Sequence, residues 1–434
     1  MKHLQNKAVL AFPPLAIAFV WGASALNPKP APSPELKPTL QKKFTYAEDI
    51  APLLNNHCVQ CHRPGEVAPF SLIGYENAKK WSAMMAQVTE SGQMPPWKAE
   101  PADVEYKDNF GLSDEQRKML KAWDEAGAPR GDKSKEPAPP TFGKDWALGK
   151  PDLLVQMPYE FELGPEGQDE YWNFVIKPDI KEPVWVQAMD VKPGNKTVVH
   201  HVIAFTDKKG RTEKLINGNR GDKRAGYLTT GGGVGFMPDG SMGGWAPGVA
   251  ASKLPDDAGF LLEPGTDIVL QIHYNKSGKV EKDRTQIAFY YNKSEKAEKK
   301  VDIAWIANPL INIKAGDSNA KFTQRFKLPA AIEIYNVMPH MHLLGRSMTA
   351  WAVLPDGKKI KLVDVQDWDF NWQLVYTLKK PMVLPRGTEL IVEASFDNSK
   401  DNPFQPHNPP VDVRWGEETT DEMMLLVAAY SVVK

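Results

Sequence analysis

Both cysteines of this 434-residue chain fall inside one short motif, "NNHCVQCHRPG", at residues 55–65. That placement limits the fold at once. A pair spent together at C-x-x-C spacing leaves no disulfide to staple distant parts, so packing and bound metals must hold the chain. The residue after the second cysteine is His, and C-x-x-C-H is the spacing at which two thiols add to the vinyl groups of haem while the His ligates iron. Cys58 and Cys61 are therefore read as thioether anchors and His62 as the proximal ligand of one covalently bound haem c. A thioredoxin-like redox pair is the competing reading; it needs a βαβ setting and has no use for His62.

The N-terminus agrees with haem attachment outside the cytoplasm. Lys2 and Lys7 flank the start of an apolar run that extends to Trp21, and Ala23-Ser24-Ala25 follows as a small-residue cleavage site. Residues 1–25 read as an export signal. The run is broken by Pro13-Pro14 and is shorter than the roughly 20 residues a spanning helix needs. The expectation is a periplasmic or secreted bacterial protein without a membrane span after cleavage, an uncleaved anchor being the alternative. A formal net charge of −1 with no basic block argues against nucleic acid as a partner.

Residues 26–42 are Pro-rich and read as an extended linker. Residues 43–130 have the size and helical texture of a small all-α cytochrome c domain. Within them "SDEQ" at 113–116 predicts a capped helix that ends near Gly127 and Pro129. The sixth iron ligand is expected downstream, and Met94 in "SGQMPPW" precedes two prolines that would stiffen its loop; the segment resembles the MPPW stretch of small bacterial cytochromes. Met84 and Met85 compete, in a stretch that reads as helix, where Met usually packs the core.

A second linker spans 131–145, after which the texture changes to short β-type runs such as "TVVHHVIAF", "DIVLQIHY" and "ELIVEASF", separated by Gly, Pro, Asn and Asp. That pattern predicts two antiparallel, jelly-roll-like β-sandwich domains, 146–294 and 295–434, divided near the Lys-rich 292–300.

Nine histidines are present, and five fall inside three of these runs: His200, His201, His273, His340 and His342. One His in a strand is usually a hydrogen-bonded structural residue; five gathered this way point to metal. His340 and His342 share a strand face at i, i+2 and can aim two imidazoles at one ion. Adjacent His200 and His201 point to opposite faces unless the strand is bulged, twisted or ending there. In "IVLQIHY" the apolar alternation sends Gln271 and His273 to one face together.

On these motifs residues 146–434 resemble the copper type II, ascorbate-dependent monooxygenases. The resemblance implies two copper ions. One would be held by His200, His201 and His273, from "VVHHVIAF" and "LQIHYN"; the other by His340, His342 and Met423, from "PHMHLLG" and "TTDEMMLL". Met424 rivals Met423, since both faces of "MMLLVAAY" are apolar and only the D-E-M alignment favours the first. The resemblance further implies that O2 reacts at the Met-ligated copper to hydroxylate a substrate C–H bond, that the three-His copper stores electrons, and that two external electrons are consumed. His340, His342 and Met423 would be the catalytic set. A thioether among the ligands suits reduced copper. The disulfides of eukaryotic members are absent here, and no substrate carries over beyond a small molecule or peptide.

The fused cytochrome then reads as a relay from a periplasmic electron donor to the coppers, replacing or supplementing ascorbate. The alternatives are a haem and copper electron carrier without a substrate, and a copper-binding or storage protein. The Gly-rich 229–248 lacks a phosphate-loop ending and reads as a loop near the first copper site; "VQDWDFNWQ" at 365–373 reads as packing, with a pocket wall as the alternative. His57 and His407 read as surface or supporting residues.

Overall fold

The computed structural model describes residues 43–66, 68–107, 109–142, 146–218, 226–229, 233–246, 249 and 251–433. The expected export signal and the linker 26–42 lie outside the described residues, as does part of the second linker.

The described residues begin with a small helical module. Pro52 sits in the first turn of the helix Ala51–His57, where its missing N–H leaves no hydrogen bond unmade. Ser113 and Gln116 close a reciprocal capping box at the start of Asp114–Glu125, as the "SDEQ" signal predicts. Together with Tyr75–Lys80 and Ser82–Glu90 these helices enclose a core of their own around Ile50, Leu54, Leu120 and Trp123.

Between its third and fourth helices the module sends out a strap. Residues 97–107 cross to the C-terminal sandwich, where Glu100 N donates to Asp364 O, Lys107 N donates to Thr377 O, and Lys379 N donates to Glu105 O, each at 2.7 Å. Trp97 packs edge-on against Tyr376 at 5.1 Å, and Tyr106 lies 5.4 Å from the same ring.

Most of the remainder is β-structure. In the N-terminal sandwich a five-stranded sheet runs in the order Gly226–Thr229, Glu170–Ile176, Asp267–Tyr274, Val199–Asp207, Gly240–Trp245. Its inner face meets strands of an eight-stranded sheet through Phe174, Ile272, Val186 and Phe289. The C-terminal sandwich packs the sheet of Ala320–Lys327, Glu389–Phe396, Gly345–Val353 and Lys359–Val365 on the other half of the same eight-stranded sheet. Ile334, Val337, Met348, Val392 and Leu426 form its core.

The two sandwiches thus share a sheet. The seam is a short parallel pairing of Lys299 with Ala258 and Lys300 with Gly259, in sheets otherwise paired antiparallel. The Lys-rich stretch supplies this seam: Lys299 Nζ bridges Asp257 and Glu333, both at 2.7 Å. No helix among the described residues is long and apolar enough to cross a membrane.

Candidate metal centres

The strand Val199–Asp207 carries two adjacent histidines, and its pairing with Asp267–Tyr274 shifts register between Val199 and His201. That irregularity is what adjacent residues need in order to face one point. His201 then pairs directly with His273. His200 Nδ1 lies 3.1 Å from His273 Nδ1 and 3.3 Å from His201 Nδ1, and one ring nitrogen from each of the three falls within 4.8 Å of the others. Burial pushes His200 down to about 3 and His201 well below the ordinary imidazole value, and repulsion from neighbouring histidines adds to it. The neutral form that ligates metal is therefore the one held at pH 7.

His273 is oriented from behind. Its Nε2–H donates to Asp169 Oδ2 at 2.9 Å, which leaves the Nδ1 lone pair facing the other two rings. Tyr171 stacks on His273 at 4.2 Å. Burial works against the Asp169 charge, yet hydrogen bonds from His273 and Thr419 hold its carboxyl below the usual range.

His340 ends the strand Ile332–His340 and His342 follows in the turn, their ring centroids 5.2 Å apart. His340 Nδ1 faces Gln373 Oε1 at 2.7 Å and His342 Nδ1 faces Asp421 O at 3.2 Å. Both acceptors fix the Nδ1–H tautomer and free each Nε2 as a donor atom for metal. Burial pushes His340 down to about 4 and His342 to about 3. The turn is tight because position 345 is glycine: a Cβ there would lie 2.8 Å from both Met341 Cβ and Trp368 Cδ1.

Glu422 lies fully buried beneath this site. Its carboxylate accepts from His342 N, from Met423 N at 2.8 Å and from Leu344 N at 2.9 Å. Burial pushes it up to about 8 against the pull of those N–H groups. Met423 lines the cavity that His340 and His342 share, whereas Met424 is fully buried in the sandwich core.

All six residues of the two sets open on one cavity of about 910 Å3. Phe370 stands between them, stacked on His200 at 5.0 Å and lying 5.8 Å from His342. Phe370, Gln373 and Trp368 all come from "VQDWDFNWQ", so that segment is a cavity wall as well as packing. Described residues of the Gly-rich stretch, Gly233 to Trp245, form another part of the lining.

In the helical module Cys58 and Cys61 are free thiols, and burial pushes Cys58 up to about 12. His62 directs Nδ1 at Phe70 O, 3.3 Å away, and burial lowers its pKa. The donor set fits a c-type haem: two thiols and an imidazole whose Nε2 is left for iron. Met94 is half-buried just beyond Ser82–Glu90, its N–H donating to Val88 O at 3.0 Å. Met85 is buried in the module core and Met84 is exposed. Gln60, between the two cysteines, lines the same cavity as the five clustered histidines. His57 binds Phe110 O and Gln116, and His407 faces Thr420 O, each in a supporting position.

Sequence reasoning passed over Asp169, Tyr171, Thr419 and Glu422, and reached Phe370 and Gln373 only through the pocket-wall alternative for 365–373. Among the four, Glu422 had a local signal, as the middle residue of D-E-M next to a candidate ligand.

Residues 318–430 match the family described as copper type II ascorbate-dependent monooxygenase, C-terminal domain. Dopamine beta-hydroxylase of Canis lupus familiaris is 24% identical over 177 residues, which is 37% of this chain and 28% of that protein. The chain thus matches less than a third of that relative's length. Among solved structures, the major capsid protein P2 of bacteriophage PM2 shares 10% identity over 65% of this chain and 98% of its own, with a TM-score of 0.26. PNGF-II shares 8% identity over 64% of this chain and 60% of its own, with a TM-score of 0.24. Scores so low carry no argument about this fold.

Proposed function

We propose that this chain is an exported copper-dependent monooxygenase that hydroxylates a C–H bond of its substrate with O2. The observation that carries the reading is the convergence of two ligand sets, His200/His201/His273 and His340/His342/Met423, on one cavity whose second set lies within the matched residues 318–430. Copper held by these residues would supply O2 activation at the Met423 set and an electron store at the three-His set, the thioether favouring the reduced ion.

The residues themselves do the positioning. Asp169 holds His273 in the tautomer that offers Nδ1, and Gln373 and the Asp421 carbonyl do the same for the Nε2 atoms of His340 and His342. Glu422 fixes the backbone of His342 and Met423 relative to each other. Phe370 places an apolar ring between the sets, 5.0 Å from His200 and 5.8 Å from His342.

The haem relay belongs to the same proposal. Gln60 of the C-x-x-C-H motif and Trp97 of the strap both border the cavity, which supports a haem held by Cys58, Cys61 and His62 that would supply one-electron transfer to the copper sites, fed by a periplasmic donor with ascorbate as a supplementary reductant. The signal at 1–25 would route the chain to the compartment where such haem is attached.

The test is metal and haem content per chain, on protein exported through a haem-maturing periplasm and supplied with copper. Two coppers and one haem are expected; zinc, or haem without copper, rejects the reading. Anaerobic stopped-flow mixing of the fully oxidised, copper-loaded chain with an external one-electron donor then checks the relay: the haem should be reduced first and pass its electrons on, with three electrons taken up per chain for one haem and two coppers.

A further inference from the structure

Trp97 stands where the helical module meets the C-terminal sandwich. It follows Met94-Pro95-Pro96, and its indole packs edge-on against Phe110 at 5.1 Å and against Tyr376 at 5.1 Å. Position 111 has to be small beside this ring: a Cβ there would lie 2.8 Å from Trp97 Cδ1. The indole is thus gripped by the module on one side and by the sandwich on the other.

Links continue from it in both directions. Towards the cysteines, Phe110 O faces His57 Nδ1 at 3.1 Å, and His57 is the residue bonded to Cys58. Towards the metal ligands, Tyr376 is 2% exposed and lies three residues after Gln373, whose Oε1 faces His340 Nδ1 at 2.7 Å. Tyr376 also pairs with Val337 on the strand that ends at His340. Every break in the covalent chain along this series is closed by a hydrogen bond or a ring contact.

The three-His set has no such connection. Among the described residues, no hydrogen bond or ring contact joins residues 43–130 to His200, His201 or His273; these three meet one another, Asp169, Tyr171 and Phe370. Gln60 borders the same cavity without touching them in this way. Electron tunnelling weakens far more steeply across open space than through bonded or close-packed atoms, so the continuous series is the favoured path.

We infer that electrons leave the helical module through Trp97 and enter the copper domains at His340, by way of Phe110, Trp97, Tyr376 and Gln373, rather than at the three-His set. The inference rests on the haem and copper reading proposed above. In each transfer Fe(II) becomes Fe(III) and one Cu(II) becomes Cu(I); no bond or proton moves, and the rings are a medium that is not itself oxidised.

The test uses the full chain carrying haem and copper under argon. A flash-photolysed flavin donor reduces the haem by one electron, and its re-oxidation is followed by absorbance. Trp97→Leu should slow re-oxidation by an order of magnitude or more, and Phe110→Leu should slow it too, with haem and copper content unchanged. Trp97→Phe keeps a ring and should recover most of the rate. Tyr106→Phe removes the strap's hydrogen bond to Leu362 O, 2.8 Å long, but no ring, and should leave the rate as it was. His273→Ala removes a ligand of the three-His set, and re-oxidation should still proceed.

Re-oxidation at the original rate in Trp97→Leu overturns the inference, as does a failure of Trp97→Phe to recover any of the loss. Slowing in Tyr106→Phe equal to that in Trp97→Leu would assign the effect to a loosened strap, and re-oxidation that stops in His273→Ala would place entry at the three-His set; either removes the route. A chain that takes up no haem or no copper rejects the proposed function and this route together, whereas full loading with a rate indifferent to Trp97 removes the route alone.

Discussion

Thr419 Oγ1 donates to Asp169 Oδ2 at 2.9 Å, joining residues 250 positions apart. Asp169 orients His273, and Thr419 sits four residues before Met423 in the segment that delivers it. Tyr171 reinforces the junction by donating to Glu417 O at 2.6 Å. The supporting residues of one metal site are therefore tied to the loop that carries a ligand of the other.

Asp169→Asn should weaken copper binding at the three-His site by about 10- to 100-fold, the range for losing the partner that orients a ligating His. Copper-competition titration monitored by electron paramagnetic resonance would read it. Thr419→Val should perturb the spectrum of the same site although it touches no ligand. An unchanged spectrum in both variants would show that the junction is only structural.

Met423 and Met424 should separate cleanly. Met423→Ala removes a cavity-facing thioether, so hydroxylation should fall to background while folding and the haem spectrum stay intact. Met424→Ala opens a hole in the core and should cost about 2–5 kcal/mol in urea unfolding, with copper at both sites retained. If Met424→Ala instead loses one copper and Met423→Ala keeps both, the ligand assignment is reversed.

Glu422→Ala would strand backbone N–H groups of His342, Leu344 and Met423 in the interior, each unsatisfied donor costing about 1–3 kcal/mol. The expected result is a much lower unfolding midpoint and loss of copper from the His340/His342/Met423 set before the other. Equal loss at both sites would contradict a local role.

Acid should destabilise the copper-free protein in a defined window. His200 and His342 are held down to about 3 and His340 to about 4, against 6.5 for a free imidazole. Between those values and 6.5 the unfolded chain binds more protons, so stability is complete above the free value and is lost as pH falls toward 4. Glu422, pushed up to about 8 from 4.5, acts in the opposite sense between those values; the histidines outweigh it below 6.5, and above that Glu422 dominates. The urea midpoint should decline slightly from pH 7 to 8 and fall on acidification from pH 6 to 4; a midpoint that rises as pH falls from 6 to 4 would refute the buried neutral histidines.

Much of this arrangement was legible because it is periodic. The β-type alternation announces strands, and the adjacent His200 and His201 required the irregularity found between Val199 and His201. The H-x-H pair meets by another route than a shared strand face: the strand ends at His340, and the turn after it brings His342 back beside it. The choice between Met423 and Met424 was not legible, because both precede the strand Leu425–Val432 and no strand period governs them. Asp169 and Thr419 were invisible for another reason: their relation exists only after two distant segments meet. The strap 97–107 and the parallel seam at Lys299 are likewise held by backbone hydrogen bonds, which carry little side-chain signature.

The shared eight-stranded sheet has a consequence for the path between the two sets. Because Ala258–Leu262 and Lys299–Ala307 are hydrogen-bonded neighbours, the two halves lack the free hinge that separate sandwiches on a linker would have. Were both sets to hold copper, an electron crossing between them would pass Phe370, whose ring lies 5.0 Å from His200 and 5.8 Å from His342, so that ring and the continuous sheet behind it would define the route.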